Sequence, residues 1–246
     1  MQFSMKLLAD RTAIVTGAGR GIGRAVSLAI AKNGARVVLV SRTESELEEV
    51  AREIRGHGGE ALPFPADVRK IRKMETLART ALQAYGGIHI LVNNAGTAGR
   101  ALQTEVHQLA TEEWNDIIET NLTGTFHCCK AVLDTMITQR EGHIINIASL
   151  AGKYPFPGAS AYCASKAGLL IFSESLMLEA RKYNIKVSCI APGSVNTGFM
   201  PSEVKEEESW KLDPEDIAQI VVGLLTASPK ALPSLMEVRP LSPAKK

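Results

Sequence analysis

A tyrosine and a lysine four residues apart, Tyr162 and Lys166, are the side chains of this sequence best suited to acid–base chemistry. They begin a predicted helix over 161–182, where this spacing places both side chains on one face. A free tyrosine has a pKa of about 10, and an ammonium about 4 Å away contributes about 4 kcal/mol at an effective dielectric of about 20. We therefore expect Lys166 to bring Tyr162 towards the working range of an acid or base, with Ser149 hydrogen-bonding the reacting oxygen. The alternative is a helix that carries an incidental surface tyrosine and lysine.

A glycine-rich turn follows the first predicted strand and opens the first predicted helix. Its residues are Thr16-Gly17-Ala18-Gly19-Arg20-Gly21-Ile22-Gly23. Glycines let backbone approach a pyrophosphate closely, and a helix N-terminus offers unpaired N–H groups and partial positive charge. The turn therefore predicts dinucleotide binding, and the alternative is a tight turn without a ligand.

Apolar runs rich in Val and Ile alternate with amphipathic stretches, which is the pattern of repeated βα units. We predict an α/β fold, a single doubly wound Rossmann domain over 1–246, with a seven-stranded, mostly parallel sheet flanked by helices on both faces. The predicted strands are Thr12–Thr16, Arg36–Val40, Glu60–Pro65, Ile88–Asn93, Gly142–Ser149, Ile185–Ala191 and Ser234–Val238, and the six helices are 22–33, 44–56, 70–85, 111–138, 161–182 and 214–227. The segments 96–110 and 198–211 are predicted surface excursions, and the second is either a mobile cover for substrate or a solvated loop.

Composition and charge exclude several classes of protein. With 28 basic and 26 acidic residues the formal charge is +2, which disfavours a nucleic-acid partner. No run is long enough to span a membrane, and the N-terminal stretch lacks a secretory signal. The histidines form no paired motif, so we expect no metal site. The cysteines lack metal or redox-pair spacing and indicate reduced thiols in a cytoplasmic protein: Cys128, Cys129, Cys163 and Cys189.

The motifs together resemble those of the short-chain dehydrogenase/reductase family over roughly residues 10–230. The glycine turn matches the family's T-G-x-x-x-G-x-G pattern. The remaining matches follow in the family's order: Asn93-Asn94-Ala95-Gly96 after the fourth strand, Asn121 in the fifth helical stretch, Ser149, Tyr162 with Lys166, then Pro192-Gly193 and Thr197.

This resemblance implies an oxidoreductase with a nicotinamide cofactor, in which Tyr162 exchanges a proton with the carbonyl or alcohol oxygen. Lys166 would also hold the nicotinamide ribose, and Asn121 would order a water relay behind it. The implied catalytic residues are Asn121, Ser149, Tyr162 and Lys166, and the implied cofactor-binding residues are Gly17, Gly19, Arg20, Gly21, Ile22, Gly23, Ser41, Arg42, Asp67, Val68, Asn94, Ala95, Gly96, Tyr162, Lys166, Pro192, Gly193, Val195 and Thr197. A non-catalytic dinucleotide sensor or scaffold on the same fold is the alternative.

The end of the second strand favours NADP(H) over NAD(H). Ser41 and Arg42 stand where an acidic residue would bind ribose hydroxyls, and Arg20 resembles the basic residue of NADP-preferring family members. Glu44 is the rival ribose ligand. We assign it instead to a helix start in which Thr43 is the cap and Glu46 reaches back, as in a capping box. Asp67 resembles the family's adenine contact, although an aspartate that ends a strand is also a common turn residue.

The predicted substrate is a ketone with an apolar group, reduced to a secondary alcohol. The loops 96–100, 150–157 and 198–211 follow strands that carry the site. Five residues form a predicted apolar wall, unless some only pack the loops: Leu150, Tyr154, Phe156, Phe199 and Met200.

The region from Tyr162 to Gly168 and the later 214–218 resemble the 3-oxoacyl-carrier-protein reductases. The chain departs from that branch at Leu178, in its C-terminal residues 237–243 and in an acidic loop, although Arg140 offers a basic contact. A general NADP-dependent ketone reductase is therefore an equal alternative. The family also implies a homodimer or homotetramer, paired through the helices 111–138 and 161–182. The apolar surface expected there includes Phe126, Leu169, Leu170, Phe172 and Leu176.

Overall fold

Seven strands form one parallel sheet in the computed structural model, which describes residues 6–99, 104–199 and 210–242. The strands are Thr12–Thr16 (β1), Arg36–Ser41 (β2), Glu60–Pro65 (β3), Ile90–Asn93 (β4), Gly142–Ile147 (β5), Ile185–Pro192 (β6) and Leu235–Val238 (β7). Their order is β3-β2-β1-β4-β5-β6-β7, and every neighbouring pair is parallel. The order reverses between β1 and β4, and open α/β sheets bind ligands at the carboxyl ends of the strands beside such a switch point.

Helices cover both faces of this sheet. They are Gly21–Lys32 (α1), Glu44–Gly56 (α2), Ile71–Tyr85 (α3), Thr111–Ile118 (α4), Gly124–Gln139 (α5), Ser160–Ala180 (α6) and Pro214–Thr226 (α7). Successive strand residues point to opposite faces, so Ala13 and Val15 of β1 pack with α1, α2 and α7, whereas Ile14 packs with α3, α5 and α6. The strands are rich in Val, Ile and Leu because both faces are buried. The predicted fold class is confirmed, and the sheet with its two helical layers is consistent with a single Rossmann-like domain.

The helix predicted over 111–138 is interrupted. A five-residue π-helical turn, Glu119–Thr123, separates α4 from α5, so the described chain has seven α-helices rather than six. No glycine or proline within this turn marks the break, so the sequence pattern did not reveal it. Such π turns insert one residue into a helix and are frequent at functional sites.

Several other element boundaries were wrong. β4 begins at Ile90 rather than Ile88, and β5 ends at Ile147, so Ser149 lies beyond its strand. No capping box forms at the start of α2, because the Thr43 side chain makes no cap hydrogen bond. Instead the Ser41 hydroxyl accepts the Thr43 N–H at 3.3 Å. A side-chain bond of the capping-box kind occurs at α7, where the N–H of Asp213 donates to Asp216 Oδ2 at 2.9 Å.

The apolar surface expected on α5 and α6 also needs correction. Leu169, Leu170 and Leu176 are buried within the chain itself, and Phe172 packs against its core. The large apolar side chains that α5 and α6 do expose are Phe126, Ile171 and Leu178. Helical periodicity overlooked Ile171 because α6 is apolar nearly all round.

Two features are absent from residues 6–99, 104–199 and 210–242, a helix that could span a membrane and a cluster of metal ligands. None of the helices in those ranges is both long and apolar enough to cross a membrane. Within the same ranges, no group of three or more His, Cys, Asp or Glu side chains is arranged to hold a metal ion.

Candidate active site

The carboxyl ends of the strands open into a cavity of about 1410 Å³. This exceeds the roughly 300–1,000 Å³ of a typical small-molecule pocket, so the cavity has room for a dinucleotide and a second molecule. Nearly all of the sequence-predicted site residues line it. The exceptions are Gly23, which lies beneath the turn, and Asn121, which is fully buried behind it.

The glycine turn forms the floor of one end of the cavity. Gly17 and Gly21 have positive φ angles of 65° and 53°, which other residues adopt only with strain. A side chain at Gly23 would collide with the carbonyl oxygen of Gly17 and the amide of Asn94. Helix α1 begins at Gly21, which lines the cavity, so the free N–H groups of its first turn lie at the cavity floor. This arrangement is suited to a phosphate group.

A hydrogen-bonded strap holds that turn to the end of β4. The buried Thr16 hydroxyl accepts the N–H groups of Asn94 and Ala95, both at 3.0 Å. In return, Asn94 Nδ2 donates to the carbonyl oxygens of Thr16 at 3.1 Å and Gly17 at 3.2 Å. The strap therefore fixes two walls of the cavity relative to each other.

Tyr162 and Ser149 meet at the centre of the cavity wall. Tyr162, at the start of α6, is only 8% exposed. Burial raises the pKa of its phenol, and a hydrogen bond with Ser149 acts in the opposite direction. The Ser149 hydroxyl also accepts the N–H of Ala151 at 3.1 Å, which orients the serine at the start of a short 3₁₀ turn.

Lys166 lies one helical turn beyond Tyr162 and is fully buried. Burial lowers the pKa of its ammonium to about 8. Nζ donates to the Ile147 carbonyl at 2.9 Å and lies 5.9 Å from the centroid of the Tyr162 ring. The ammonium thus points to the end of β5, while burial raises the pKa of the Tyr162 phenol.

Asn121 lies in the π-helical turn between α4 and α5 and is completely buried. Its side chain forms a two-way pair with Thr97, accepting the N–H at 2.8 Å and donating to the carbonyl at 2.8 Å. It also donates to the Ser165 hydroxyl of α6 at 2.9 Å. Asn121 thus ties the loop after β4 to the helix that carries Tyr162 and Lys166, a positioning role that the sequence motif did not predict.

Basic groups gather at the far end of the cavity from Tyr162. Arg20 and Arg42 line it together with Ser41 and Val68. Glu44, the predicted rival ribose ligand, does not line it. Glu46 does, and its carboxylate occupies the space that a side chain at residue 19 would need. The sequence predicted a capping role for Glu46 and did not predict its place in the cavity.

Asp67 lines the same end and is held by Arg69. Burial would raise the pKa of Asp67, but hydrogen bonds and charge from Arg69, with the charge of Arg42, lower it. Arg69 Nη2 lies 2.6 Å from the carboxylate, and its Nη1 reaches Asp116 at 2.7 Å. Asp67 is therefore a fixed, ionised acceptor rather than an isolated turn residue.

The end of the cavity near Tyr162 is largely apolar. Four of the five predicted wall residues line it: Leu150, Tyr154, Phe156 and Phe199. The rings of Phe199 and Tyr162 lie 6.1 Å apart between centroids. The fifth, Met200, lies outside the described residues, as do Arg100 and the acidic stretch of the segment 198–211. Both ends of that segment, at Phe199 and Trp210, face the cavity.

The residues after β6 complete the cavity and join it to the C-terminal strand. Thr197 packs against Gly21 of the glycine turn. Val195 pairs with Leu212, and the N–H of Gly193 donates to the Val238 carbonyl at 2.7 Å. The C-terminal residues 239–242 line the cavity too. Sequence reasoning noted their unusual composition but did not place them at the site.

Comparison with known proteins identifies many relatives of this chain. The family model described as short chain dehydrogenase matches residues 11–208. An uncharacterized oxidoreductase of Staphylococcus aureus (strain MRSA252) is 35% identical over 237 residues, covering 96% of this chain and all of the relative.

Solved structures show the same likeness. A metagenomic short-chain oxidoreductase in complex with NADP is 36% identical, with a TM-score of 0.84 over 96% of this chain and all of that one. An alcohol dehydrogenase from the archaeon Thermococcus sibiricus, complexed with 5-hydroxy-NADP, is 27% identical, with a TM-score of 0.86 over 96% of this chain and 99% of that one.

Proposed function

The chain belongs to the short-chain dehydrogenase family, and we propose that this oxidoreductase uses NADP(H) to reduce an apolar ketone to a secondary alcohol. The observation that carries the proposal is that Ser149, Tyr162 and Lys166 all line the cavity that begins at the glycine turn, with the Lys166 ammonium 5.9 Å from the centroid of the Tyr162 ring. A proton donor, an oxygen-positioning hydroxyl and a cation thus share one wall with a phosphate-binding turn.

Tyr162 is the proton donor of this mechanism. Its raised pKa keeps the phenol protonated at neutral pH, which suits the donation of a proton to a carbonyl oxygen. Ser149 hydrogen-bonds the same oxygen and holds it within reach of the phenol. In the reverse direction, Tyr162 accepts the proton of the alcohol.

Lys166 and Asn121 support that proton transfer. With its pKa near 8, Lys166 exchanges a proton more readily than an ordinary lysine, and its ammonium, which lies close to Gly96, would hold the nicotinamide ribose. Asn121 holds α6 and the loop after β4 in a fixed relative position through its hydrogen bonds to Ser165 and Thr97. It therefore acts as a positioning residue, and the water relay implied by the family remains a prediction.

The cavity fits a bound NADP(H). The glycine turn and the start of α1 would hold the pyrophosphate, because glycine lets backbone approach it closely and the first N–H groups of α1 have no partner within the helix. Arg20 and Arg42 would bind the 2′-phosphate, a task suited to planar guanidinium groups. When bound, the cofactor supplies or accepts the hydride. Two structural relatives are described with NADP or an NADP derivative, which supports this choice over NAD(H).

The test begins with a panel of apolar ketones that includes acetoacetyl thioesters, with oxidation of NADPH and NADH followed by absorbance. We expect turnover with NADPH and a lower kcat/KM with NADH. Acceptance of thioesters alone would favour the 3-oxoacyl-carrier-protein reductase branch, and acceptance of simple ketones the general reductase. A clear preference for NADH would contradict the roles given to Arg20 and Arg42.

The variant Tyr162→Phe tests the mechanism. We expect turnover to fall by at least about 100-fold, in line with the contribution of a general acid, while NADPH still binds. The matched control is Tyr183→Phe, because Tyr183 lies at the end of α6 and does not line the cavity. Near-normal activity of Tyr162→Phe would refute the assignment. If the unaltered protein binds NADPH but oxidises it with no ketone, the sensor or scaffold would be the better account.

We also propose that the protein pairs through α5 and α6. Phe126, Ile171 and Leu178 project from these helices with exposures of 44%, 74% and 52%. Burying such side chains is worth about 1.5–3 kcal/mol each, which favours a homodimer or a homotetramer. Light scattering of the eluted protein should give two or four copies, and a monomer at micromolar concentration would contradict this.

A further inference from the structure

A cluster of charged and aromatic side chains lies at the rim of the cavity, beside the apolar wall. Glu237 Oε1 accepts from Lys153 Nζ at 2.6 Å, and its Oε2 accepts from Arg239 Nη2 at 2.8 Å. The Arg239 guanidinium lies over the Tyr154 ring, 4.7 Å from the centroid. A carboxylate and an aromatic ring therefore both fix the position of this guanidinium.

The C-terminal chain holds Arg239 at the reactive end of the cavity. Val238 accepts the N–H of Gly193, as described above, and Pro240 packs directly against Gly193. Arg239 stands between these two anchored residues, and it lines the cavity together with Leu150 and Tyr154. The guanidinium consequently lies beside the wall that would receive the substrate's apolar group, away from Arg20 and Arg42.

The cluster carries a net charge of +1, because Glu237 compensates only one of the two cations. The hydrogen bond from Lys153 lowers the pKa of Glu237, so this carboxyl stays ionised at neutral pH. Among the described residues, Glu237 is the one hydrogen-bond partner of the Arg239 side chain. Its side chain is about half exposed, which leaves further N–H groups accessible from the cavity.

We propose that Arg239 binds a carboxylate at the far end of the ketone substrate, so that the preferred substrates are oxo acids with an apolar middle section. A guanidinium is planar and can present two parallel N–H groups in the geometry that a carboxylate accepts. One carboxylate, with its charge of −1, would also compensate the net charge of the cluster. This inference rests on the proposed ketone reduction and adds a substrate class to it.

A structural role is the competing explanation for the same contacts. Arg239 would then only tie the loop of Tyr154 to the C-terminal strand, and its loss would weaken the turnover of charged and neutral substrates alike. The two explanations differ in substrate preference, which a comparison of matched substrates measures.

The experiment compares kcat/KM for methyl-ketone acids of increasing length, from 4-oxopentanoate to 8-oxononanoate, with their methyl esters. With the unaltered enzyme, we expect the best acid to exceed its ester by about 10- to 100-fold, mainly through a lower KM, as for a hydrogen bond between charged groups. Arg239→Met keeps the length of the side chain and should abolish the preference. Arg239→Lys should retain part of it. The control Arg72→Met removes a cation of α3 that neither lines the cavity nor belongs to the cluster, and the preference should persist.

Two outcomes overturn the inference while the proposed function stands. One is equal turnover of acids and esters by the unaltered enzyme, and the other is an equal loss for both in Arg239→Met. A binding measurement separates these from failure of the reductase proposal itself. Calorimetry with the protein and NADP⁺ should show that octanoate binds more tightly than octanamide, and that Arg239→Met removes the difference. If no ketone is reduced but this difference is found, ketone reduction fails and the anion site at Arg239 stands. If octanoate shows no advantage, the site fails.

Discussion

Replacement of Thr16 by valine tests whether the strap between β1 and β4 holds the cofactor site in shape. The hydroxyl of Thr16 is buried and accepts two backbone N–H groups, those of Asn94 and Ala95. Valine has nearly the same shape but accepts no hydrogen bond. The change therefore removes both bonds, and with them the long 3.4 Å bond that the hydroxyl donates to the Val92 carbonyl, with little disturbance of packing.

The expected cost follows from the burial of those two groups. An unsatisfied buried N–H costs about 1–3 kcal/mol, and Asn94 and Ala95 are only partly buried, so about 1 kcal/mol each is appropriate. The added methyl group of valine returns up to about 0.8 kcal/mol. We expect a net loss of about 1–2 kcal/mol in the free energy of unfolding, which lowers Tm by roughly 2–8 °C in a chain of this size.

We expect cofactor binding to weaken by a free energy similar to the loss in stability, because Asn94, Ala95 and Gly17 all line the cavity. We expect the Kd for NADPH, measured by fluorescence titration, to rise about tenfold, which corresponds to about 1.4 kcal/mol. Thr16→Ser is the matched control. It keeps the hydroxyl and loses one buried methyl, so its stability should also fall by about 1 kcal/mol while its Kd stays unchanged.

Comparing Thr16→Val with Thr16→Ser separates loss of the strap from loss of packing. Urea unfolding should place both variants below the unaltered protein by similar amounts, and the titration should separate them. If serine and valine weaken NADPH binding equally, loss of packing rather than loss of the strap explains the result. If neither changes the Kd, the strap does not position the site.

Two further predictions concern acid stability and cofactor choice. Burial, together with the charge of Lys186, lowers the pKa of His143 from 6.5 to about 4, so below pH 6.5 the unfolded chain takes up a proton that the folded chain does not. The free energy of unfolding should therefore be highest above pH 6.5 and fall by about 3 kcal/mol as the pH drops towards 4. The variant His143→Gln should lose most of this pH dependence when urea unfolding is measured at several pH values. The same pH dependence in the variant and the unaltered protein would contradict the assignment. In steady-state assays, Arg42→Ala should raise the KM for NADPH by about 10- to 100-fold and change the KM for NADH little. An equal rise in KM for both cofactors would show that Arg42 does not bind the 2′-phosphate.

Local pattern was sufficient for much of the fold and of the candidate site. The alternation of buried strands with amphipathic helices predicted all seven strands, and every neighbouring pair is parallel. The glycine turn and the Tyr162–Lys166 pair were found because each depends on residues close in sequence. The break at the π-helical turn was harder to predict, since no glycine or proline within Glu119–Thr123 marks it.

The electrostatics of the site could not be read from spacing. The four-residue interval correctly places Tyr162 and Lys166 on one helix, but it says nothing of their burial. Burial raises the pKa of Tyr162 and lowers that of Lys166 to about 8, and it depends on packing against strands distant in sequence. The shift expected from Lys166 together with an oxidised nicotinamide stays a prediction.

The sequence by itself determined the fold class, the glycine turn and the residue types available for proton transfer. Each of these follows from periodicity or from motifs of a few residues. Only the tertiary structure decided which distant groups share the cavity. Glu46 lies over the glycine turn, and Arg239 reaches the apolar wall because β7 pairs with β6. Contacts of this kind depend on the path of the whole chain, and residue spacing does not encode them.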